Sequence, residues 1–314
     1  MEDLFKDRRL ILAPMAGVTD EVFRELCIEA GAQLTYTEMV SAKALSYGSG
    51  KTRDLLVLAP SEQQVAVQIF GHEPETMAQE AYELEQMLGH AVFSFDVNMG
   101  CPFPLIVRRG KGAGILSSPE KVEALLETMK VFRRFAFGED EVRRTGCGGV
   151  EGARAVTQPF VCDAGDASSA HREAAVQGDG GPGGVRAFYE ACERPLVYNG
   201  DLLTVADIRE VLEAFPRLKG VMLGRGLLAN PALALAFREG ELSESELKAR
   251  VAQMHRQMYL YYHRVIEGGE AQLLAKLKTC WEYLLPELDK KQRKAILKSN
   301  RLDGYLRAVE EALR

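Results

Sequence analysis

Between residues 10 and 240, six short apolar runs alternate with longer stretches of helical periodicity. The runs are Leu10–Met15 (LILAPM), Leu34–Met39, Val65–Phe70 (VAVQIF), Phe93–Met99, Pro195–Asp201 (PLVYNGD) and Gly220–Gly226 (GVMLGRG). Helical patterns follow them: one opening at Thr19/Asp20 and ending at Gly31, with Thr19 as N-cap, then Pro74 to Leu88, Pro119 to about Arg133, and Thr204 to Phe215, with a short helix near Pro231. Strands separated by helices pair in parallel through crossovers, which sets the class as α/β. Each run also keeps its unusual residues at its C-terminal end: Pro14/Met15, Glu38, Gln68, Asn98/Cys101, Asn199/Asp201 and Gly224/Arg225. In a (β/α)8 barrel that end builds the active site. The pattern therefore predicts a TIM barrel over residues 1–240 with a site at one mouth.

Residues 241–314 change character. They show amphipathic stretches such as MHRQMYLYYHRVI and LLAKLKTCWEYLLPEL and no strand signal, which predicts a second, all-helical domain. Residues 243–314 carry 14 Lys/Arg and 10 Asp/Glu, whereas the remainder carries 25 and 35. A basic module on an acidic body suits a nucleic-acid partner, and a solvated helical surface gives the same numbers.

Six strands are visible where a closed barrel needs eight. The gap falls at residues 134–186, which contain no Leu, Ile, Met, Lys, Tyr, Trp or Asn and hold 11 of the 29 glycines. A flexible glycine-rich insertion is one reading. An insertion would add to eight strands, however, and this segment sits where two are absent. Its Gly, Ala, Arg, Val, Asp and Pro content is that of a GC-rich coding sequence read in a wrong frame. The expectation is a compensated frameshift, with no well-packed pair of barrel strands in this stretch.

The segment FSFDVNMGCPFP (93–104) carries the most chemistry. A buried strand is stopped abruptly at Gly100, Cys101 and Pro102, which puts a thiol and the Asn98 amide at the barrel mouth. A free thiol ionises near ~8.5, so at neutral pH it can donate a proton as well as attack. An isolated GCP is equally a buried cysteine at a tight turn. The other cysteines are scattered without CxxC spacing, which argues for reduced thiols in a cytoplasm and against a zinc site or a disulfide frame. No run of about 18 apolar residues exists, so no membrane span is expected. MEDLFKDRR lacks the apolar core of a signal peptide.

Taken together, LAPMAGVTD (12–20), TEMVSAKAL (37–45), VAVQIFGHEPETMAQEA (65–81), FDVNMGCPFPLIVRRGKGAGIL (95–116), YNGDLLT (198–204) and VMLGRGLLANPAL (221–233) resemble the tRNA-dihydrouridine synthases. NMGCP with the downstream GKGAG run is the most specific part. The resemblance covers about residues 8–133 and 187–314. It implies an FMN-binding barrel and a helical tRNA-binding domain, with NADPH (or NADH) as reductant and the C5=C6 bond of a tRNA uridine as substrate. Cys101 would give the proton to C5. Pro14, Met15, Ala16 and Gln68 would meet the flavin ring, and Asn199, Gly200, Asp201, Gly224 and Arg225 its ribityl and phosphate groups. Asn98 would face the uracil. Arg108, Arg109 and Lys111 would meet RNA phosphates near the flipped base. Lys276, Lys278, Lys290, Lys291, Arg293, Lys294 and Lys298 are further RNA candidates. No DNA or membrane partner is implied.

The family also places a lysine on the fifth strand and a histidine on the sixth. Residues 134–186 hold no lysine, and their one histidine, His171 in SSAHREA, does not match. Neither role is carried over. Two other readings stand beside the first. One is a flavin barrel acting on a free pyrimidine, of the dihydroorotate dehydrogenase type. The other is a non-catalytic tRNA-binding descendant.

Overall fold

The computed structural model describes residues 9–129, 135–137, 160–163, 189–190 and 196–314. Its strands are β1 (Arg9–Leu12), β2 (Thr35–Tyr36), β3 (Val40–Ser41), β4 (Val65–Phe70), β5 (Val92–Val97), β6 (Phe135–Phe137), β7 (Phe160–Asp163), β8 (Leu196–Asn199) and β9 (Leu218–Leu223). Every described strand pairing is parallel. One sheet runs β1-β9-β8-β7 and the other β2-β4-β5-β6, with β3 also on β4. The bridge Ile11↔Leu34 joins the two. The strands thus follow chain order around a barrel, β2 and β3 sharing the second position. Between β6 and β7 no pairing occurs among the described residues.

The segment 134–186 departs from its sequence expectation in one respect. Phe135–Phe137 pairs with Phe95–Val97, and Phe160–Asp163 pairs with Leu196–Asn199, so short strands do stand at the fifth and sixth positions. Backbone pairing to an existing edge needs only three or four residues in register, not a long apolar run. The other residues of 134–186, His171 included, lie outside the described residues, and so does the frameshift reading.

Two smaller expectations also shift. The second strand is shorter than expected: of Leu34–Met39 only Thr35–Tyr36 pairs, because the chain then turns so that Thr37 Oγ1 accepts the Gln68 N–H (3.2 Å) and Glu38 Oε2 accepts the Gly17 N–H (2.6 Å), and β3 begins beyond it at Val40. Helix α1 (Glu21–Glu29) is capped by Asp20, which accepts from Phe23 N at 3.1 Å. Thr19 is instead occupied in the preceding turn, where its hydroxyl accepts from Met15 N at 2.9 Å.

Ile11, Ala13, Leu34, Tyr36, Ala66, Phe93, Val197 and Met222 pack together in the barrel interior. The intervening residues of the same strands, such as Val65, Val67 and Ile69, face the outer layer. That layer holds α2 (Ala42–Ser46), α4 (Pro74–Leu88), α6 (Pro119–Met129), α7 (Val205–Ala214), α8 (Arg225–Ala229) and α9 (Leu233–Glu239), while the short α3 (Gly50–Asp54) and α5 (Pro104–Val107) bury no residue. The chain then becomes helical: α10 (Glu244–Val265), α11 (Gly269–Lys278), α12 (Lys290–Lys298) and α13 (Leu302–Leu313).

These last helices share one apolar core with the first barrel helix. Val22, Phe23 and Leu26 of α1 join Val251, Met254 and Met258 of α10, and Trp281 and Tyr305 beyond them. Polar ties reinforce the contact at the barrel mouth. Tyr262 donates to Asp20 at 2.7 Å, and Lys276 reaches both Asp20 and the Gly17 carbonyl at 2.8 Å. Buried His255 is pushed down to about 4 by desolvation and meets Tyr305 OH at 2.8 Å, where Trp281 Nε1 also donates at 2.9 Å. This network is satisfied and structural.

Candidate active site

The mouth is built where β5 ends. Asn98 N donates to Ile69 O at 2.9 Å, the last bond that follows the ladder. Asn98 Oδ1 then accepts from Cys101 N at 3.0 Å and closes the turn that presents the thiol. The GKGAG run folds beneath this turn, with Ala113 N donating to Cys101 O at 3.1 Å. Gly112 has φ +52, and a Cβ there would come within 2.8 Å of Cys101 O; at Gly114 a Cβ would lie 2.3 Å from Val107 O. Only glycine lets the chain pass under the cysteine so closely. Of Cys27, Cys101 and Cys280, only Cys101 is partly exposed. Burial pushes the Cys27 thiol far up and the Cys280 thiol up to about 12, which leaves both inert.

A chain of amides runs inward from the cysteine. Asn98 Nδ2 donates to Gln68 Oε1 at 3.2 Å, and Gln68 Nε2 donates to Asp96 Oδ2 at 2.7 Å. Asp96 was not singled out from sequence, where it reads as one residue of a buried strand. The available signal was a carboxylate two residues before Asn98, which a strand's period of two places on the same face. Desolvation raises its carboxyl from 3.8 to about 7, opposed by the Gln68 hydrogen bond.

This shift has a consequence for stability. The folded state holds the Asp96 proton between about pH 4 and pH 7 while the unfolded state has lost it. Its contribution is fully present below the unfolded value and is lost as pH rises through about 7, a cost on the order of 4 kcal/mol at most. Urea denaturation from pH 4 to pH 8 should show wild type losing stability relative to Asp96→Asn. Parallel pH profiles for the two proteins would exclude this account.

Across the mouth, the loop after β1 and the ends of β8 and β9 converge. Pro14 and Met15 are half-buried and Ala16 is exposed. A Cβ on Gly224 would sit 3.5 Å from Ala13 Cβ and Met15 Sδ, which places that glycine against the first loop. Arg225 pairs with Asp201 at 2.5 Å, and Asn199 and Gly200 precede them at the end of β8. The donor set comprises a guanidinium, two side-chainless positions and the second N–H of Gln68. It suits a planar heterocycle that carries a phosphate.

The three basic residues after the cysteine separate. Arg108 and Arg109 are exposed. Lys111 is 8% exposed, with its ammonium 5.8 Å from the Phe70 ring centroid, and desolvation is the main cause lowering its pKa. In the helical region Lys276 is paired as described, Lys278 donates to Ser299 O, and Arg293 donates to Trp281 O and to Leu285 O. Lys290, Lys291, Lys294 and Lys298 are exposed on α12. Among the described residues no His/Cys/Asp/Glu group could hold a metal, and no helix is long and apolar enough to cross a membrane.

These features define an α/β-barrel enzyme with a thiol and an amide chain at the C-terminal ends of its strands. The sequence model of the dihydrouridine synthase family matches residues 11–132 and 185–299, and leaves the anomalous segment between them unmatched. A probable tRNA-dihydrouridine synthase of Aquifex aeolicus is 31% identical over 79% of this chain and 78% of its own length. A tRNA-dihydrouridine synthase B of Pasteurella multocida is 31% identical over 72% and 67%. A probable tRNA-dihydrouridine synthase of Treponema pallidum is 30% identical over 85% and 82%. Likeness to solved structures is loose. A crystal structure of TcOYE with pHBA covers 74% of this chain and 89% of that one at 9% identity, with TM-score 0.48, too low to bear on function. The chain belongs to the dihydrouridine synthase family, an oxidoreductase family.

Proposed function

We propose that this chain reduces a uridine of tRNA to 5,6-dihydrouridine, with FMN seated on the barrel mouth of residues 1–240 and the tRNA docked by residues 241–314. The observation that carries this reading is the partly exposed Cys101, held by Asn98 in one hydrogen-bonded chain with Gln68. Bound FMN, with NADPH or NADH as the electron source, would supply hydride chemistry at C6 of the ring. Cys101 delivers the proton to C5 from its thiol. Asn98 orients the uracil. Gln68 meets the flavin ring, with Pro14, Met15 and Ala16 alongside. Asn199, Gly200, Asp201, Gly224 and Arg225 hold the ribityl chain and phosphate, where Arg225 exchanges Asp201 for the phosphate or shares the two. Arg108 and Arg109 meet RNA phosphates beside a base that has left its stack. Lys111, buried over Phe70, adds positive charge beneath that path. The setting is cytoplasmic.

The test is direct. Purified protein should be yellow with bound FMN, and with NADPH it should form dihydrouridine in unmodified tRNA but leave free uracil unreduced. Reduction of free uracil alone would favour the dihydroorotate dehydrogenase type of barrel. A second reading, a tRNA-binding protein without catalysis, is supported by the strands of only three and four residues at the fifth and sixth positions. A colourless protein that still binds tRNA would favour it.

The RNA surface carries its own expectation. Lys290, Lys294 and Lys298 follow one another at i, i+4 and i+8, so they share a face of α12. Changing all three to Ala should weaken tRNA binding and flatten its salt dependence by about 2 in slope, at roughly 0.7 per lost single-strand-type phosphate contact. Filter binding from 50 to 300 mM salt measures this. An unchanged slope would remove α12 from the interface.

A further inference from the structure

We propose that Asp96 is a positioning residue of the mouth: its carboxylate sets which way the Gln68 amide faces and, through it, the orientation of Asn98 and of the Cys101 turn. A glutamine amide is nearly symmetric in shape but opposite in polarity at its two ends. Steric fit alone therefore cannot choose its orientation at a buried site. Above about pH 7 the carboxyl is ionised, and an ionised carboxylate only accepts hydrogen bonds. Facing Asp96 Oδ2 at 2.7 Å, Gln68 must present Nε2, which turns Oε1 toward Asn98. Asn98 must then present Nδ2, at 3.2 Å, so its Oδ1 is left to accept the Cys101 N–H at 3.0 Å. Each amide has a single consistent orientation once the acid is in place. Reversal of Gln68 would put two acceptors against each other at a residue 7% exposed beside one 1% exposed. Among the described residues Asp96 Oδ1 has no hydrogen-bond partner, so the Gln68 contact is what holds the acid in this register.

The effect reaches the proposed chemistry at two points. With Nε2 partly used by Asp96 and Oε1 by Asn98, Gln68 offers a ring one N–H in a fixed direction. The Cys101 turn keeps its backbone N–H satisfied, which holds the thiol at the rim.

Two full-chain variants separate this role from packing. Asp96→Asn loses the charge and keeps an acceptor, but adds an N–H that can meet Gln68 in either orientation. Asp96→Leu keeps the volume and loses the acceptor. The first readout needs no cofactor: side-chain amide exchange of Gln68 and Asn98, by selectively labelled NMR. At pH 8, where Asp96 is ionised, wild type should show one slowly exchanging Gln68 Nε2 proton, absent in Asp96→Leu. The second readout, FMN affinity by fluorescence quenching, rests on the flavin reading above. Asp96→Leu should weaken FMN by about 10-fold while Asp96→Asn stays within about 3-fold, the range of one buried hydrogen bond. Fast exchange of both Gln68 protons in wild type would overturn the proposal, even if Asp96→Leu fails to fold. So would equal amide protection and equal FMN affinity in Asp96→Leu and wild type. Absence of FMN binding in wild type would overturn the flavin reading instead, and the amide exchange would still decide the role of Asp96.

Discussion

Cys101→Ala should keep FMN and its reduction by NADPH, and should lose dihydrouridine formation by about 10²–10⁴, the usual cost of a missing general acid. The split follows from geometry. The thiol stands on the turn after β5, while the residues proposed to hold the phosphate end lie on the loops after β8 and β9. Removing one sulfur atom leaves the backbone bonds from Cys101 N to Asn98 and from Ala113 N to Cys101 O available to alanine. Flavin reduction followed by absorbance, and product measured in the same tRNA sample, give the two rates separately. Near-normal product formation would assign the proton to another group. Loss of flavin reduction as well would mean that the turn, and not the thiol, is what the substitution removed.

Arg24→Met should destabilise the fold by about 3–5 kcal/mol, the cost of leaving one buried charge without its partner. Arg24 is 0% exposed, and Glu62 faces it at 2.7 Å and 2.9 Å. The guanidinium also donates to Thr19 O at 2.9 Å and Val57 O at 2.6 Å. Glu62 accepts further from Thr35 Oγ1 at 2.7 Å and Ala59 N at 2.9 Å. One ion pair therefore ties α1, the start of β2 and the loop before β4. Glu62→Gln should cost a similar amount. The double variant Arg24→Met with Glu62→Met should recover much of the loss, because a buried pair replaced by apolar groups is often near neutral. Urea midpoints at constant m-value measure each case. Additive losses in the double variant would show that the two residues act independently.

The strands that sequence alone located best are those with a full apolar period and glycine or proline at the end. Val65–Phe70 and the helix Pro74–Leu88 match residue for residue. The helix expected from Thr204 to Phe215 spans Val205–Ala214, with Thr204 as its N-cap through a capping box with Asp207. The expected strand Leu34–Met39 runs past its pairing residues into Thr37 and Glu38. Their side chains instead bond Gln68 N and Gly17 N, partners 31 and 21 residues away. Lys276 and Arg293, RNA candidates by charge, also bond intramolecular carbonyls and, for Lys276, the Asp20 carboxylate.

Local pattern determined the α/β class, the helical C-terminal region, the rim position of Cys101 and the mismatch of residues 134–186, since each is a property of nearest neighbours along the chain. Tertiary structure decided what those residues touch. It placed Asp96 under Gln68, buried Lys111 over Phe70, folded Gly112 and Gly114 beneath the cysteine turn, and set short strands at the fifth and sixth positions. Contacts of this kind join residues far apart in sequence, and only the closing of parallel strands side by side brings their ends to one mouth.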